Sequence, residues 1–268
     1  RDCTIPVEES GHLDLQRLRE RLTEKTKLVC LAEISNVLGL QNPVKEVVNI
    51  CHSAGCLVFS DGAQGIVHTV PDVRETGVDF YAFSGHKVYG ATGIGVLYGK
   101  KKWLDAMPPY MGGGEMIETV RLSGTTFAPV PGKFEAGTQN FNAIPTLQEA
   151  ILLAESYKED KEVLENQKNI TEYLLGVLTN DPRIHLYGVP RGTQTKIPLF
   201  AFSVDGAHHK DLALILDKMG VAVRSGQMCA EPLMDRFGVT GMLRASFAPY
   251  NTMEEAEYFV KCLNKAIS

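Results

Sequence analysis

The chain has no Cys-x-x-Cys pair, no long apolar run and no excess of basic charge, and each absence removes a class of protein. Its six cysteines (Cys3, Cys30, Cys51, Cys56, Cys229 and Cys262) are scattered singly, which argues against a disulfide framework and a zinc site. Cys51 and Cys56 bracket His52, but five-residue spacing across a helix end places the two thiols poorly for one ion, so no metal is expected. No apolar run approaches the ~20 residues that span a bilayer, and the opening residues lack the basic, apolar, small order of a signal peptide. A net charge of -5 gives no basic stripe for a phosphate backbone, and Lys100-Lys101-Lys102 reads as a solvated turn. Nucleic acid and membrane are therefore not expected as partners, and the default address is cytoplasmic. Internal repeats and low-complexity segments are missing too, which sets aside solenoids and disordered tails.

What is present is an ordinary core-forming composition: 268 residues, 44% hydrophobic and 8% aromatic, enough for one large and one smaller lobe. Leu15, Leu18 and Leu22 recur at helical spacing within Leu13 to Thr23, and an apolar run from Leu28 to Ile34 follows as a buried strand. Val44 to Ala54 reads as a second helix, with Pro43 at its first turn and Gly55 past its end, before a strand from Cys56 to Ser60. Val78 to Phe83 and Ile94 to Tyr98 are further strands, and this alternation predicts an α/β fold with a mixed or parallel sheet. Pro108 to Gly137 is rich in glycine, proline and threonine and reads as long irregular or hairpin structure. One helix is predicted from Ile144 to Leu164. Beyond it come a further helix, a strand Pro198 to Val204, a helix Asp211 to Lys218, a strand Val221 to Arg224 and a closing helix Met253 to Ile267.

Ligands of parallel α/β sheets collect at the carboxyl ends of strands, so the polar residues that follow the apolar runs are the candidates. They are Ser35-Asn36, Asp61-Gly62-Ala63-Gln64 and Ser84-Gly85-His86-Lys87. A lysine amine can condense with an aldehyde, and a carboxylate facing a pyridine nitrogen keeps that ring protonated as an electron sink; Lys87 and Asp61 fit these roles. Ser84 and His86 can donate to a phosphate, and Gly85, Gly90, Gly93 and Gly95 would let the backbone approach one closely. Singly, each has an ordinary explanation: Lys87 solvated, Asp61 a helix cap, His86 a satisfied core histidine, Asn36 a turn residue. On these grounds a cofactor site and a set of ordinary structural residues both stay open.

The motifs Ser35-Asn36-Val37-Leu38-Gly39, Asp61-Gly62-Ala63-Gln64, Phe83-Ser84-Gly85-His86-Lys87, Gly93 to Gly99, Glu135-Ala136-Gly137-Thr138 and Arg224-Ser225-Gly226 to Cys229-Ala230 run over essentially the whole chain. Together they resemble the class V aminotransferase group of pyridoxal phosphate enzymes, and within it the cysteine desulfurases that serve iron–sulfur cluster assembly. The resemblance implies a fold-type I pyridoxal phosphate transferase. In it, 1–152 form part of a large domain with a mainly parallel sheet, and 165–268 form a small α/β C-terminal domain. It implies pyridoxal 5'-phosphate as cofactor, held by Lys87 as a Schiff base, with Asp61 at the pyridinium nitrogen, Gln64 at the ring oxygen and Ser84 with His86 at the phosphate. Asn36 would contact substrate or cofactor. Thr138 would reach the phosphate of a neighbouring subunit, implying a homodimer with shared sites. Arg244, in Leu243-Arg244-Ala245-Ser246, would grip the carboxylate of L-cysteine, with Arg224 lining the same pocket, and Cys229 would take the substrate's sulfur as a persulfide and release L-alanine. Without the family motifs, the two arginines would read as surface ion pairs and Cys229 as a buried inert thiol. The remaining five cysteines read as ordinary reduced thiols.

The chain departs from that pattern in two places. Gln227 and Met228 stand where relatives place two histidines before the reactive cysteine, so activation of the thiol has to come from another group. By the resemblance, the family's N-terminal third, with its phosphate-cradling turn and a histidine that stacks on the cofactor ring, is also missing. A selenocysteine lyase or cysteine sulfinate desulfinase shares the machinery without needing Cys229, and a non-catalytic fragment is a further alternative. The resemblance does not name the sulfur-acceptor protein.

Overall fold

In a computed structural model, residues 4–268 are described; Cys3 lies outside them. In chain order the first elements are α1 (Leu15–Arg21), β1 (Leu28–Ala32), α2 (Val44–Ser53), β2 (Leu57–Asp61), α3 (Gly65–His68), α4 (Val73–Thr76), β3 (Phe80–Ser84), β4 (Gly95–Gly99) and α5 (Lys101–Ala106). The hairpin β5 (Ile117–Arg121) and β6 (Gly124–Phe127) leads to α6 (Ile144–Glu159) and α7 (Lys161–Asn180). Then follow β7 (Ile184–Tyr187), β8 (Leu199–Val204), α8 (His209–Lys218), β9 (Arg224–Gly226), α9 (Glu231–Phe237), β10 (Met242–Ser246) and α10 (Met253–Ala266).

The first sheet has the order β1-β2-β3-β4, parallel except at β4. Val44, Val47, Val48 and Cys51 line one face of α2 and pack with Leu18 of α1 onto Val58 and Tyr81 of the sheet. The second sheet, β7-β8-β10-β9, is antiparallel throughout. Its Phe200, Phe202 and Leu243 pack against Leu174 of α7, Leu212 of α8 and Phe259 of α10. A third cluster joins the two sheets: Val37, Leu38 and Leu40 beyond β1 meet Ala201, Met228, Met234 and Met242 of the C-terminal half.

Caps explain several boundaries. Asp14 accepts from the Arg17 amide at the start of α1, and Thr252 with Glu255 forms a reciprocal capping box on α10. The single helix expected over Ile144 to Leu164 is two helices, because Asp160 leaves the helical region at φ -79°, ψ 111° and caps α7 through the amides of Glu162 and Val163. The strand expected at Val221 to Arg224 lies later, at Arg224–Gly226, where its register is set by pairing with β10.

The Lys100-Lys101-Lys102 cluster is not a solvated turn. Lys100 is half-buried and donates to the Asp79 carboxylate at 3.0 Å and the Gly77 carbonyl at 2.7 Å, while Lys101 opens α5. Asp79 also accepts from His52 at 2.8 Å, the Val58 amide at 2.9 Å and the Trp103 indole at 3.1 Å. His52 is thereby committed to a carboxylate, and Cys51 and Cys56 are buried free thiols, the Cys56 thiol donating to the Cys51 carbonyl at 3.2 Å. Among the described residues no His, Cys, Asp and Glu cluster could hold a metal, and no helix is long and apolar enough to cross a membrane.

Candidate active site

The parallel pairing of β2 with β3, with Asp61 opposite Ala82, brings Asp61 and the turn after β3 to the same edge of the sheet. Asp61 is exposed, and its carboxylate accepts from the Ala63 amide at 2.9 Å, an Asx turn rather than a helix cap. Gln64 is half-buried just before α3. Ser84 ends β3, and His86 and Lys87 ride the 3-10 turn Gly85–Val88 with both side chains exposed, so His86 is no core histidine. The turn is pinned from below by Val88, which is fully buried against Leu147 of α6.

Gly90 and Gly95 beside this turn serve packing of the chain on itself. A Cβ at Gly90 would stand 2.9 Å from the Gly85 carbonyl oxygen, and one at Gly95 at 2.9 Å from that of Phe83. The expectation that they open room for a phosphate is therefore not needed to explain them. The Asp61 turn is built as tightly: a Cβ at Gly62 would run into the Tyr81 ring and one at Gly65 into the Glu33 carboxylate.

Beneath Asp61 lies a polar cluster that sequence reasoning missed. Glu33 is 8% exposed and accepts from the Tyr81 hydroxyl at 2.8 Å and the Thr69 hydroxyl at 2.9 Å, and its amide donates to the Asp61 carbonyl at 2.8 Å. Burial, then the charges of Glu33 and Asp61, push the Tyr81 phenol upward, so it stays a donor. The one signal in the sequence is the carboxylate of Glu33 standing inside the apolar run Leu28 to Ile34.

A second constellation forms where the two sheets meet. Asn36 donates through Nδ2 to the Met228 carbonyl at 2.9 Å, and its own carbonyl accepts from Arg244 Nη1 at 2.8 Å. Cys229 is exposed, and Arg224 Nη2 stands 3.7 Å from its Sγ. Met228 is 2% exposed, so the residue before the cysteine anchors the loop in the core while Cys229 points outward. Met228 and Cys229 both adopt left-handed backbone, at φ 57° and 58°, which costs non-glycine residues about 1 kcal/mol each and persists where the surroundings enforce it. Burial, then the nearby Arg224, lowers the pKa of Arg244, whose Nε is buried without a partner among the described residues. Neither arginine forms an ion pair among the described residues, and Cys229 is no buried thiol. Thr138 is exposed on the loop that follows Gly137 and hydrogen-bonds to none of these groups among the described residues.

This donor set, an amine, a carboxylate and a hydroxyl with an imidazole, matches an aldehyde, a ring nitrogen and a phosphate in turn, so it fits pyridoxal phosphate. The chain matches the aminotransferase class-V family over residues 3–259. It belongs to that family. A probable cysteine desulfurase of Vibrio cholerae is 44% identical over 98% of this chain and 64% of its own length. A cysteine desulfurase of Escherichia coli O9:H4 is 42% identical, with 97% and 63% covered. Among solved structures, the cysteine desulfurase CsdA of Escherichia coli superposes with a TM-score of 0.88 at 38% identity, covering 98% of this chain and 64% of that one. The apo cysteine desulfurase of Thermococcus onnurineus NA1 gives 0.85 at 33% identity, with 98% and 65% covered. The chain thus spans just under two thirds of the length of these relatives.

Proposed function

We propose that this class-V chain is that of a pyridoxal phosphate-dependent cysteine desulfurase, converting L-cysteine to L-alanine and holding the sulfur on Cys229. The observation that carries the reading is the joint of Asn36, Arg244, Arg224 and Cys229: the loop after β1 of the Asp61 sheet is tied through Asn36 to Met228 and Arg244 of the second sheet, where the exposed Cys229 thiol stands 3.7 Å from Arg224. The names of the relatives point the same way.

Lys87 would hold the cofactor, with Asp61 at its ring nitrogen, Gln64 at the ring oxygen and Ser84 and His86 at its phosphate. When bound, pyridoxal phosphate supplies a sink for the electron pair left as the α-proton departs. Arg244 presents a guanidinium fork suited to the substrate carboxylate, and its unpartnered Nε leaves it short of acceptors. Asn36 and Arg224 wall the same pocket. Lys87 takes the α-proton. The Cys229 thiolate attacks the substrate sulfur; the new S–S bond forms as the C–S bond breaks, the electron pair of the broken bond stays with Cβ and takes up a proton there, and the α-proton returns from Lys87 to Cα to complete alanine. One persulfide is left on Cys229, ready for a sulfur-acceptor protein and so for iron–sulfur cluster assembly. Thr138, exposed on its loop, suits a role across a homodimer interface, and 1–152 and 165–268 act as the large and small domains. A cytoplasmic setting accords with this chemistry, since persulfide transfer needs reduced thiols.

The test is alanine and sulfide release from L-cysteine with added pyridoxal phosphate. Release by the parent and its loss in Lys87→Ala and Cys229→Ala is the expected result. Release that survives Cys229→Ala points instead to a selenocysteine or sulfinate lyase.

A further inference from the structure

Lys196 is a buried lysine to which neither the family match nor the proposed chemistry gives a role. It is 8% exposed, its ammonium donates to the Leu38 carbonyl and it lies 5.3 Å from the centre of the Phe200 ring. Burial alone pushes its amine down to about 7, with no carboxylate offsetting the cost. A buried amine kept without a counter-ion stabilises a fold poorly, which turns attention to what it holds in place.

It holds a joint. Lys196 pairs with Leu40 in an antiparallel bridge, the Ile197 amide donates to the Gly39 carbonyl at 2.9 Å and the Gln41 amide to the Thr195 carbonyl at 3.0 Å. The turn so gripped is Ser35 to Gly39, closed internally by the Ser35 hydroxyl, which accepts from the amides of Val37 at 3.3 Å and Leu38 at 3.0 Å. Two of its carbonyls are capped by N–H donors from the C-terminal half, Asn36 by Arg244 and Leu38 by Lys196. Between those two caps, the Asn36 side chain reaches out to the Met228 carbonyl, directly before Cys229.

We propose that Lys196 is a positioning residue: by capping the Leu38 carbonyl it holds Asn36 where Asn36 grips the left-handed Met228-Cys229 backbone. That this loop serves sulfur transfer rests on the proposed function; the mechanical link from Lys196 to the loop does not.

The test is amide hydrogen exchange, read by mass spectrometry on peptides of the whole chain without cofactor or substrate. Lys196→Met keeps the stem and removes the donor. It is expected to speed exchange about fivefold, the equivalent of one ordinary hydrogen bond, in peptides covering 35–41 and also 227–230, which Lys196 does not touch, with β2 unchanged. In an Asn36→Ala background the effect on 227–230 should vanish. A folded Lys196→Met chain with parental exchange at 227–230 overturns the proposal. Should that variant fail to fold, Lys196→Arg, which keeps a donor, decides: parental exchange at 227–230 supports the link and a fivefold change refutes it. With cofactor and L-cysteine added, Lys196→Met should raise KM about fivefold while kcat moves less. Exchange coupling without alanine formation would sink the desulfurase reading and leave the role of Lys196 intact.

Discussion

Arg224 Nη2 stands 3.7 Å from Cys229 Sγ, a guanidinium beside an exposed thiol. Gln227, two residues before the thiol, is turned to Glu231, donating to its carboxylate at 3.1 Å. Arg224, at the start of β9, is thus the cation in contact with the sulfur among the described residues. Arg224→Ala should slow both alkylation of Cys229 by iodoacetamide and alanine formation by about tenfold, the value of one exposed charge-assisted contact. Parallel rates for parent and variant would remove Arg224 from the chemistry.

Arg244→Lys tests recognition of the substrate carboxylate. Lysine keeps the charge and loses the fork, and it also gives up the Nη1 contact to the Asn36 carbonyl. KM for L-cysteine should rise at least about tenfold with a smaller fall in kcat.

Much of this site was legible from residue order alone. Glycine- and polar-rich clusters directly after apolar runs marked Asn36, Asp61 and Lys87, because strand ends in a parallel sheet must change composition where they meet solvent. The strands β1 to β4 fell within two residues of expectation for the same reason. Glu33, Tyr81 and Lys196 were not legible: each looks like an isolated polar residue in or beside an apolar segment, and its partner is 36 to 158 residues away. The break at Asp160 was hidden because helical spacing continues on both sides of it, and β7 and β10 because short antiparallel strands owe their identity to their neighbours. The lysine cluster misled because its first member answers to Asp79, more than 20 residues earlier.

Asp79 predicts an acid limit. Burial pushes its carboxyl up, but the hydrogen bonds from His52, Val58, Lys100 and Trp103 outweigh it and hold the group at about 2, below its ordinary 3.8. The unfolded chain therefore binds the proton first as pH falls, so the contribution is full above 3.8 and disappears as pH drops through about 2. Asp79→Ala should lower stability by about 3 kcal/mol at neutral pH, since it strands Lys100 and the Trp103 indole, and should flatten the acid limb of urea midpoints.

His68 acts in a different window. Burial, then the charge of Lys158, pushes its imidazole down from 6.5 to about 4, so it is neutral in the folded chain. The unfolded chain takes up that proton first, and stability should fall as pH drops from 6.5 to about 4 and then level off for this group. His68 ends α3, whose N-cap is Gln64, so acid should loosen the turn from Asp61 to Gln64 before the core. His68→Gln should remove this slope from urea midpoints measured across that range.

The most direct test of the account follows the sulfur itself. Chain incubated with pyridoxal phosphate and L-cysteine, quenched with an alkylating agent and digested, should yield a Cys229 peptide carrying one additional sulfur that dithiothreitol removes, with none on Cys30, Cys51, Cys56 or Cys262. Alanine formed with no sulfur gained at Cys229, or the sulfur found on another cysteine, would contradict it.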